Sequence, residues 1–331
     1  MSKKVLIIGG AGFIGMNITQ ELASKGYQIT IADNFFRGKM DEDLKEIVEK
    51  NSIRVVSDDF TKENAFSALD EDYDYVYMLA SVVGVEYTEK IPNELIRINT
   101  QLILNTLEWI KNTQCKKVLF TSTSECYAGT IEAFGYEIPT PETVPLCIQD
   151  ITHPRFTYAV TKMLGESGFI QYSKVYGFEC TIVRYHNVYG PRMGFKHVIP
   201  QVVQRFLKEE DPFKVYGFDQ TRAFNFIDDA VRGTIGAMES EKTNGEILHI
   251  GDMNSEITIE ELVHYIGSLV EFEGEYERQE AHSGSVSRRC PDTSKAEKLI
   301  GYKPVVGWKE GVKETVDWYV DYLESGKNVF E

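Results

Sequence analysis

The stretch KVLIIGGAGFIG, residues 4–15, decides the fold. KVLIIG (4–9) is an apolar run of strand length, and residues 13–25 are predicted to form a helix. The turn between them carries three glycines in the spacing G-x-x-G-x-x-G, namely Gly9, Gly12 and Gly15. Glycines let the backbone turn tightly and approach a diphosphate, whose charge meets the free N–H groups at the N-terminus of the helix. The stretch therefore predicts a strand–turn–helix unit that binds a dinucleotide.

The alternation of strand and helix patterns continues through the first half of the chain. Further strands are predicted at 27–33, 54–59, 73–80, 116–123 and 179–185, and further helices at 93–112 and 158–177. Such alternation is typical of α/β proteins with a parallel, doubly wound sheet, the Rossmann fold. After about residue 186 the pattern loosens, with helices near 197–208, 228–239, 258–269 and 308–326 and strands at 213–217 and 246–251. We expect a dinucleotide-binding Rossmann domain over 1–185 and a smaller C-terminal α/β substrate-binding lobe over 186–331, partly interleaved with the first.

Composition restricts the possible partners. The 331 residues include 51 acidic and 35 basic side chains, which gives a formal net charge of −16. Nucleic-acid phosphates need a basic face, so this charge argues against nucleic-acid binding, although a few arginines can still hold a small diphosphate. The five cysteines are odd in number and lack C-x-x-C spacing, which argues against a zinc site or a disulfide framework. No apolar run is as long as a membrane span, and we expect a cytoplasmic protein that binds neither metal nor membrane.

An acidic residue at the end of the second strand indicates which dinucleotide is bound. Asp33 follows Gly15 by eighteen residues, where a carboxylate accepts hydrogen bonds from the adenosine ribose hydroxyls and repels a 2′-phosphate. NAD is therefore favoured over NADP, and Arg37 leaves NADP open as an alternative. Asp58 and Asp59 end the third strand, where one of them could bind the adenine amino group. The candidate cofactor-binding residues up to this point are Gly9, Gly12, Phe13, Ile14, Gly15, Asp33, Asn34, Asp58 and Asp59.

A tyrosine and a lysine form the candidate catalytic pair. Tyr158 and Lys162 are four residues apart on a predicted helix and share one face. The lysine ammonium and the positive nicotinamide are expected to lower the pKa of the phenol from its usual ~10, so that it can remove a hydroxyl proton while hydride leaves for NAD. The fifth strand ends in TSTSE (121–125), where Thr123 and Ser124 could orient the substrate hydroxyl and share its proton with the tyrosine.

Together these residues resemble the extended short-chain dehydrogenase/reductase family, in particular its nucleotide-sugar epimerases, dehydratases and decarboxylases. The resemblance covers essentially the whole chain. The segments that carry it are GGAGFIG (9–15), Asp33, LASVVGV (79–85), Asn99, YAVTK (158–162), HNVYGPRM (186–193), QTRAFNFIDDA (220–230) and RRCPDTSKAEKLIGYKP (288–304). Family members often have His-Leu-Ala-Ala where this chain has Met78-Leu79-Ala80-Ser81, so contacts near the cofactor could differ.

The resemblance implies further site residues. Leu79, Ala80 and Ser81 would belong to the loop beside the cofactor, and Asn99 would be structural. The expected substrate-binding residues are Asn187, Arg222, and Arg288 or Arg289. Arginine suits this role from its chemistry alone, because its planar fork of donors binds phosphate or carboxylate. The substrate implied is a nucleotide diphosphate sugar, and the cofactor is NAD.

The expected first step is oxidation at sugar C4 to a 4-keto intermediate, and several reactions can follow it. A 4-epimerase needs little beyond Tyr158 and NAD, and it is the reaction that the sequence favours. Glu125 within Thr-Ser-Glu resembles the UDP-glucuronate decarboxylases, as does PRFTYAVTK (154–162), with Arg289 near the carboxylate. A 4,6-dehydratase would have Asp in place of Ser124, and a net C4 dehydrogenase would stop at the keto sugar. Outside enzymes, a dinucleotide-binding sensor or scaffold is the alternative.

The resemblance also implies an assembly and a biological setting. Helices 93–112 and 158–177 are apolar over more than one face, and their equivalents in the family pair across a two-fold axis. We therefore expect a homodimer held by a four-helix bundle. A role in supplying precursors for polysaccharide biosynthesis follows from the resemblance alone.

Overall fold

The computed structural model describes residues 2–281 and 285–326. Its strands are β1 (Lys4–Ile8), β2 (Gln28–Asp33), β3 (Arg54–Ser57), β4 (Tyr75–Met78), β5 (Lys117–Thr123), β6 (Glu179–Tyr185), β7 (Val188–Tyr189), β8 (Phe213–Tyr216), β9 (Thr221–Ala223), β10 (Asn225–Phe226), β11 (Ile247–Ile250), β12 (Glu256–Thr258), β13 (Tyr276–Gln279) and β14 (Arg288–Arg289). Seven of them form one parallel sheet in the order β11-β6-β5-β4-β1-β2-β3. This confirms the predicted doubly wound Rossmann sheet.

Helices cover both faces of the sheet. They are α1 (Phe13–Ser24), α2 (Glu42–Lys50), α3 (Val85–Lys90), α4 (Pro92–Ile110), α5 (Ala128–Phe134), α6 (Thr157–Tyr176), α7 (Val198–Leu207), α8 (Ile227–Glu239), α9 (Ile259–Leu269), α10 (Ser294–Ile300) and α11 (Trp308–Glu324). Short 3-10 helices occur at Glu63–Ala68, Ser124–Tyr127, Pro154–Phe156 and Glu241–Thr243. Within the described part of the chain, none of the helices combines the length and apolar character needed to cross a bilayer.

Strand β1 shows why the sheet is buried on both sides. Successive side chains of a strand point to opposite faces, and the four residues that follow Lys4 in this strand are all apolar. Val5 and Ile7 pack in the core shared with α1 and α8, whereas Leu6 and Ile8 pack in the core shared with α4 and α6. Burying both faces in this way is what a parallel sheet with crossover helices requires.

Local signals set several helix boundaries. The side chain of Asp41 caps α2 by accepting a hydrogen bond from the Leu44 N–H. Thr258 and Glu261 form a reciprocal capping box at the start of α9. Buried Asn99, in α4, accepts from the Val82 N–H at 2.7 Å and donates to the Val82 carbonyl at 3.0 Å, which anchors the loop after β4.

The part of the chain after residue 186 contributes a strand to the main sheet and also forms smaller sheets. Strand β11 pairs with β6 and so extends the main sheet. Strands β12, β9 and β14 form a separate small sheet, and β13 pairs with β8. Strand β11 therefore lies beyond residue 186 in sequence but within the main sheet in space. The division of the chain at 185/186 stays a prediction.

Candidate active site

A cavity of about 770 Å³ opens at the carboxyl ends of the parallel strands. One part of its lining is the glycine-rich turn after β1 together with the end of β2. Another part contains Tyr158 and Lys162 of α6 and the residues that end β5. Arginines from the small β9/β14 sheet line it as well. The carboxyl edge of a doubly wound sheet is where such folds bind their ligands.

The glycine-rich turn lines the cavity and has no room for a side chain at Gly9 or Gly15. Gly9 has a φ of +90°, and a Cβ atom there would lie 2.6 Å from the Ala80 nitrogen. A Cβ atom on Gly15 would lie 2.2 Å from the Gly9 carbonyl oxygen, which is a severe overlap. These residues therefore hold the backbone of the turn close to the start of α1, whose free N–H groups favour an anion.

Asp33 lies beside this turn at the end of β2. Its carboxylate accepts hydrogen bonds from the N–H groups of Ala11 at 2.9 Å and Phe35 at 2.8 Å. Burial raises the pKa of Asp33, and these hydrogen bonds oppose that change. A turn that presents N–H donors, next to a carboxylate acceptor, fits the diphosphate and ribose of NAD.

Most of the predicted cofactor-binding residues come together in the cavity. Those that line it are Gly9, Gly12, Phe13, Ile14, Gly15, Asp33, Asn34, Asp59, Leu79, Ala80 and Ser81. Asp58 is not part of the lining, and its carboxylate accepts from the Asp59 N–H. Of the two aspartates that end the third predicted strand, the structure places Asp59 toward the cavity. Its contact with adenine stays a prediction.

Lys162 is buried behind Tyr158. Its Nζ donates to the Thr121 carbonyl at 2.8 Å and lies 5.7 Å from the centre of the Tyr158 ring. Burial lowers the pKa of Lys162 to about 8. Burial also raises the pKa of Tyr158, whereas the sequence argument expected a lowered value. The charge of Lys162 alone therefore does not offset the effect of burial on the pKa of Tyr158. The lowered pKa expected from the sequence also depended on the positive charge of the oxidised nicotinamide.

The polar residues at the end of β5 point into the same cavity. Thr123 and Ser124 both line it. The Thr123 hydroxyl accepts from the Glu125 N–H at 3.3 Å, and the Ser124 hydroxyl lies 3.4 Å from Nη1 of Arg289. The structure thus brings these two hydroxyls to the cavity that also contains Tyr158. Their part in orienting the substrate hydroxyl stays a prediction.

Glu125 is surrounded by arginines. Its Oε1 accepts from Nη1 of Arg289 at 2.7 Å, and Arg155 lies 3.7 Å away. Burial would raise the pKa of this carboxyl, but Arg289, by charge and hydrogen bond, together with Arg155 and Arg222, lowers it to about 2. Glu125 is therefore ionised at neutral pH. Three cationic groups around one carboxylate leave a surplus of positive charge at this end of the cavity.

Arg289 and Arg222 are both held in place by the protein. Arg289 is buried, and its Nε and Nη2 have no hydrogen-bond partner among the described residues. Arg222 donates to the Thr221 carbonyl at 2.7 Å and to the Gln220 side chain at 3.1 Å. Burial, reinforced by the charge of Arg289, lowers the pKa of Arg222 to about 10.

The remaining predicted substrate residues differ in where they lie. Asn187 lines the cavity, with a positive φ of 36° and its side-chain amide donating to the Ala223 carbonyl. Arg288 is exposed and forms a two-point ion pair with Glu256, so it does not reach the cavity. Arg289 is thus the member of the pair that faces the cavity. Sequence reasoning did not single out Arg155, although it lies three residues before Tyr158 in the quoted PRFTYAVTK segment.

The comparisons with known proteins agree with this geometry. Residues 5–251 match the model of the NAD dependent epimerase/dehydratase family. This chain belongs to that family. The family assignment confirms the resemblance drawn from the motifs, and it makes the protein an enzyme whose cofactor is NAD.

Relatives within the family carry different activities. The chain is 34% identical to a UDP-N-acetyl-alpha-D-glucosaminuronate decarboxylase of Bacillus cytotoxicus, over 96% of this chain and 98% of the relative. It is 29% identical to a UDP-glucuronate 4-epimerase of Thermodesulfobacterium geofontis, over 98% of each. Among solved structures, a UDP-glucose 4-epimerase of Thermotoga maritima with UDP-glucose superposes with a TM-score of 0.83 at 28% identity, over 97% of this chain and 99% of that one.

Among residues 2–281 and 285–326, no cluster of three or more His, Cys, Asp or Glu side chains surrounds a possible metal position. The expectation of a metal-free site stays a prediction.

Proposed function

We propose that this enzyme oxidises the sugar of a UDP-linked uronic acid at C4 and then releases its carboxylate as carbon dioxide. The observation that carries the proposal is Arg289, a buried guanidinium group that contacts Glu125 while its Nε and Nη2 lack partners among the described residues. A buried donor without an acceptor is costly, so a ligand anion is expected here. The full-length decarboxylase relative supports the same reaction.

Different residues of the chain would have different roles in the first step, the oxidation at C4. The phenolate form of Tyr158 would take the proton of the sugar C4 hydroxyl and so become the neutral phenol, and the positive charge of Lys162 would favour that phenolate. Thr123 would hold the same sugar hydroxyl by a hydrogen bond. The glycine-rich turn and Asp33 would hold NAD, which accepts hydride when bound and returns it later.

Loss of the carboxylate follows from the chemistry of the keto sugar. With a carbonyl at C4, the bond from C5 to the carboxylate carbon lies β to a ketone. Its electrons pass to the C4 oxygen as carbon dioxide leaves, and C5 then takes up a proton. The Tyr158 hydroxyl would donate a proton to the C4 oxygen as negative charge develops there. The ionised Glu125 would hold Arg289 in position rather than act as the acid.

A 4-epimerase is the second candidate, and it is the reaction that the sequence favoured. The full-length UDP-glucuronate 4-epimerase relative supports it, as does a solved UDP-glucuronic acid 4-epimerase of Bacillus cereus at 25% identity, with a TM-score of 0.81 over 96% of this chain and 99% of that one. Epimerisation needs Tyr158 and NAD but no loss of carbon. Dehydration has less support, because Ser124 stands where the resembling dehydratases have an acid and Glu125 is bound to Arg289.

Mass spectrometry of the products separates these reactions. Purified protein is incubated with NAD and, in turn, UDP-glucuronate, UDP-N-acetylglucosaminuronate, UDP-glucose and UDP-N-acetylglucosamine, with the Tyr158→Phe variant as the inactive control. A product that has lost carbon dioxide supports the decarboxylase. An isomer of unchanged mass at a new retention time would establish the epimerase instead, and accumulation of the keto sugar with reduced cofactor would indicate a net dehydrogenase.

We also propose that the protein is a homodimer joined through α4 and α6 as a four-helix bundle. These helices pack on each other and leave apolar side chains exposed: Ile96 at 41%, Leu104 at 43%, Val160 at 37% and Leu164 at 41%. Val160 and Leu164 are one turn apart and share a face, as a helix–helix contact requires. Sedimentation should show a dimer that Leu164→Glu dissociates and that Val305→Glu, at an exposed position outside these helices, leaves intact. A monomer at micromolar concentration would contradict this assembly.

A further inference from the structure

We infer that Arg155 is the residue that distinguishes an acidic sugar from a neutral one, by binding the carboxylate attached to C5. This inference rests on the proposed function, since it assigns a role within the same site. Neither the resemblance nor the comparisons assign a role to this residue.

The three arginines around Glu125 come from two parts of the fold. Arg222 and Arg289 lie on the neighbouring strands β9 and β14, where their Cα atoms are register partners. Arg155 lies in the 3-10 helix Pro154–Phe156, which runs directly into α6. It therefore belongs to the segment that carries Tyr158, not to the small sheet.

The position of Arg155 relative to Tyr158 suits one particular group of the substrate. Residues three apart at a helix start lie on the same side, and Arg155 and Tyr158 both line the cavity. The sugar carbon next to C4 is C5, whereas the diphosphate is attached across the ring at C1. A substrate whose C4 hydroxyl meets Tyr158 would thus bring its C5 substituent toward the end of the cavity where Arg155 and Arg289 both approach Oε1 of Glu125, and would leave the diphosphate to Arg222.

The guanidinium group of Arg155 has donors available for this contact. Its side chain is 16% exposed and lines the cavity. Its interaction with Glu125 is a long ion pair of 3.7 Å, and no hydrogen bond from its guanidinium group occurs within residues 2–281 and 285–326. By contrast, Glu125 already receives a 2.7 Å hydrogen bond from Arg289. A carboxylate could therefore bind Arg155 with two parallel hydrogen bonds without removing a strong one.

Binding measurements test the assignment separately from turnover. In a Tyr158→Phe background with saturating NAD, calorimetry gives the dissociation constants of UDP-glucuronate and UDP-glucose, and their ratio is the preference for the acidic sugar. Arg155→Met should reduce this preference on the order of ten- to a hundredfold, the effect of one charged hydrogen bond, while binding UDP-glucose nearly as before. Arg155→Lys should retain part of the preference, because it keeps the charge but loses the fork.

A matched control removes an arginine elsewhere. Arg278 is exposed and pairs with Glu260 outside the cavity, so Arg278→Met should leave both dissociation constants unchanged. If Arg155→Met weakens both ligands equally, the inference is wrong and the residue serves the part that the two ligands share. If it weakens neither, the inference is also wrong, because the residue then does not bind the substrate. If the background protein binds UDP-sugars without preferring the acidic one, the proposed uronate substrate fails, and with it the role given to Arg155.

Discussion

Replacing Glu166 with glutamine should destabilise the protein strongly and reveal what holds the catalytic helix. Glu166 follows Lys162 by one turn of α6. Its Oε1 accepts from Nε of Arg184 at 2.8 Å and from the Ser122 hydroxyl, and its Oε2 accepts from Nη2 of Arg184 at 2.8 Å. The side chains of this ion pair are 2% and 4% exposed. The carboxylate therefore ties α6 to both β5 and β6 behind the active site.

The magnitude follows from burial. Glutamine keeps one acceptor oxygen but turns an N–H₂ group toward Arg184, which leaves a buried guanidinium without its counter-charge. Removing one partner of a buried ion pair costs about 3–5 kcal/mol. We expect the free energy of unfolding to fall by this amount, measured as a lower urea midpoint at unchanged slope. Because α6 also carries Tyr158 and Lys162, turnover per folded molecule should fall more than NAD binding does.

The chain offers a control with the same geometry at the surface. Glu260 binds Arg278 through the same two nitrogens, Nε at 2.7 Å and Nη2 at 2.9 Å, but the arginine side chain is 63% exposed. Glu260→Gln should change stability little, because water screens an exposed pair. Equal losses in the two variants, or a loss below about 1 kcal/mol for Glu166→Gln, would refute the reasoning that burial sets the cost.

Three further outcomes are expected. Tyr158→Phe should lower turnover by about 10²–10⁴-fold with NAD still bound, and unchanged turnover would rule out its role as proton acceptor. Gly15→Ala should abolish NAD binding, because its Cβ would lie 2.2 Å from the Gly9 carbonyl oxygen, whereas Gly307→Ala, with nothing within 4 Å, should bind NAD normally. Glu125 has its folded-state pKa lowered from 4.5 to about 2, so its ionised form stabilises the fold. The stability difference between wild type and Glu125→Gln should be complete above pH 4.5 and vanish as the pH falls toward 2; a pH-independent difference contradicts the lowered pKa.

Much of the fold was predictable because its signals are local. The apolar run of β1, the glycines that follow it and the long helix α6 each lie within a short stretch of sequence, and each formed close to its predicted limits. Alternation of such elements selects a parallel sheet, since crossover helices must cover both of its faces. Helix α2 (Glu42–Lys50) was not predicted, although Asp41 is a good N-cap residue, because the segment is polar and only Leu44 is buried.

Features that depend on contacts between distant segments needed the tertiary structure. Strand β11 lies beyond the predicted domain boundary, and pairing with β6 places it in the main sheet. The pKa of Tyr158 was expected to be lowered by the adjacent ammonium together with the positive nicotinamide, whereas burial, which depends on how distant segments pack around the phenol, raises it in the protein alone. The spacing of residues along one helix predicts which side chains share a face, but it does not predict their exposure to solvent.

The sequence by itself determined the fold, the family resemblance and the cofactor, because these depend on the glycine-rich turn, on Asp33 and on the tyrosine–lysine pair. It left open which of Arg288 and Arg289 faces the substrate. Neighbouring residues of a strand point in opposite directions, so this choice depends on how β14 pairs with β9. The same pairing and the start of α6 bring Arg289, 164 residues away in sequence, and the much nearer Arg155 to Glu125, and only the tertiary structure could bring those three charges together.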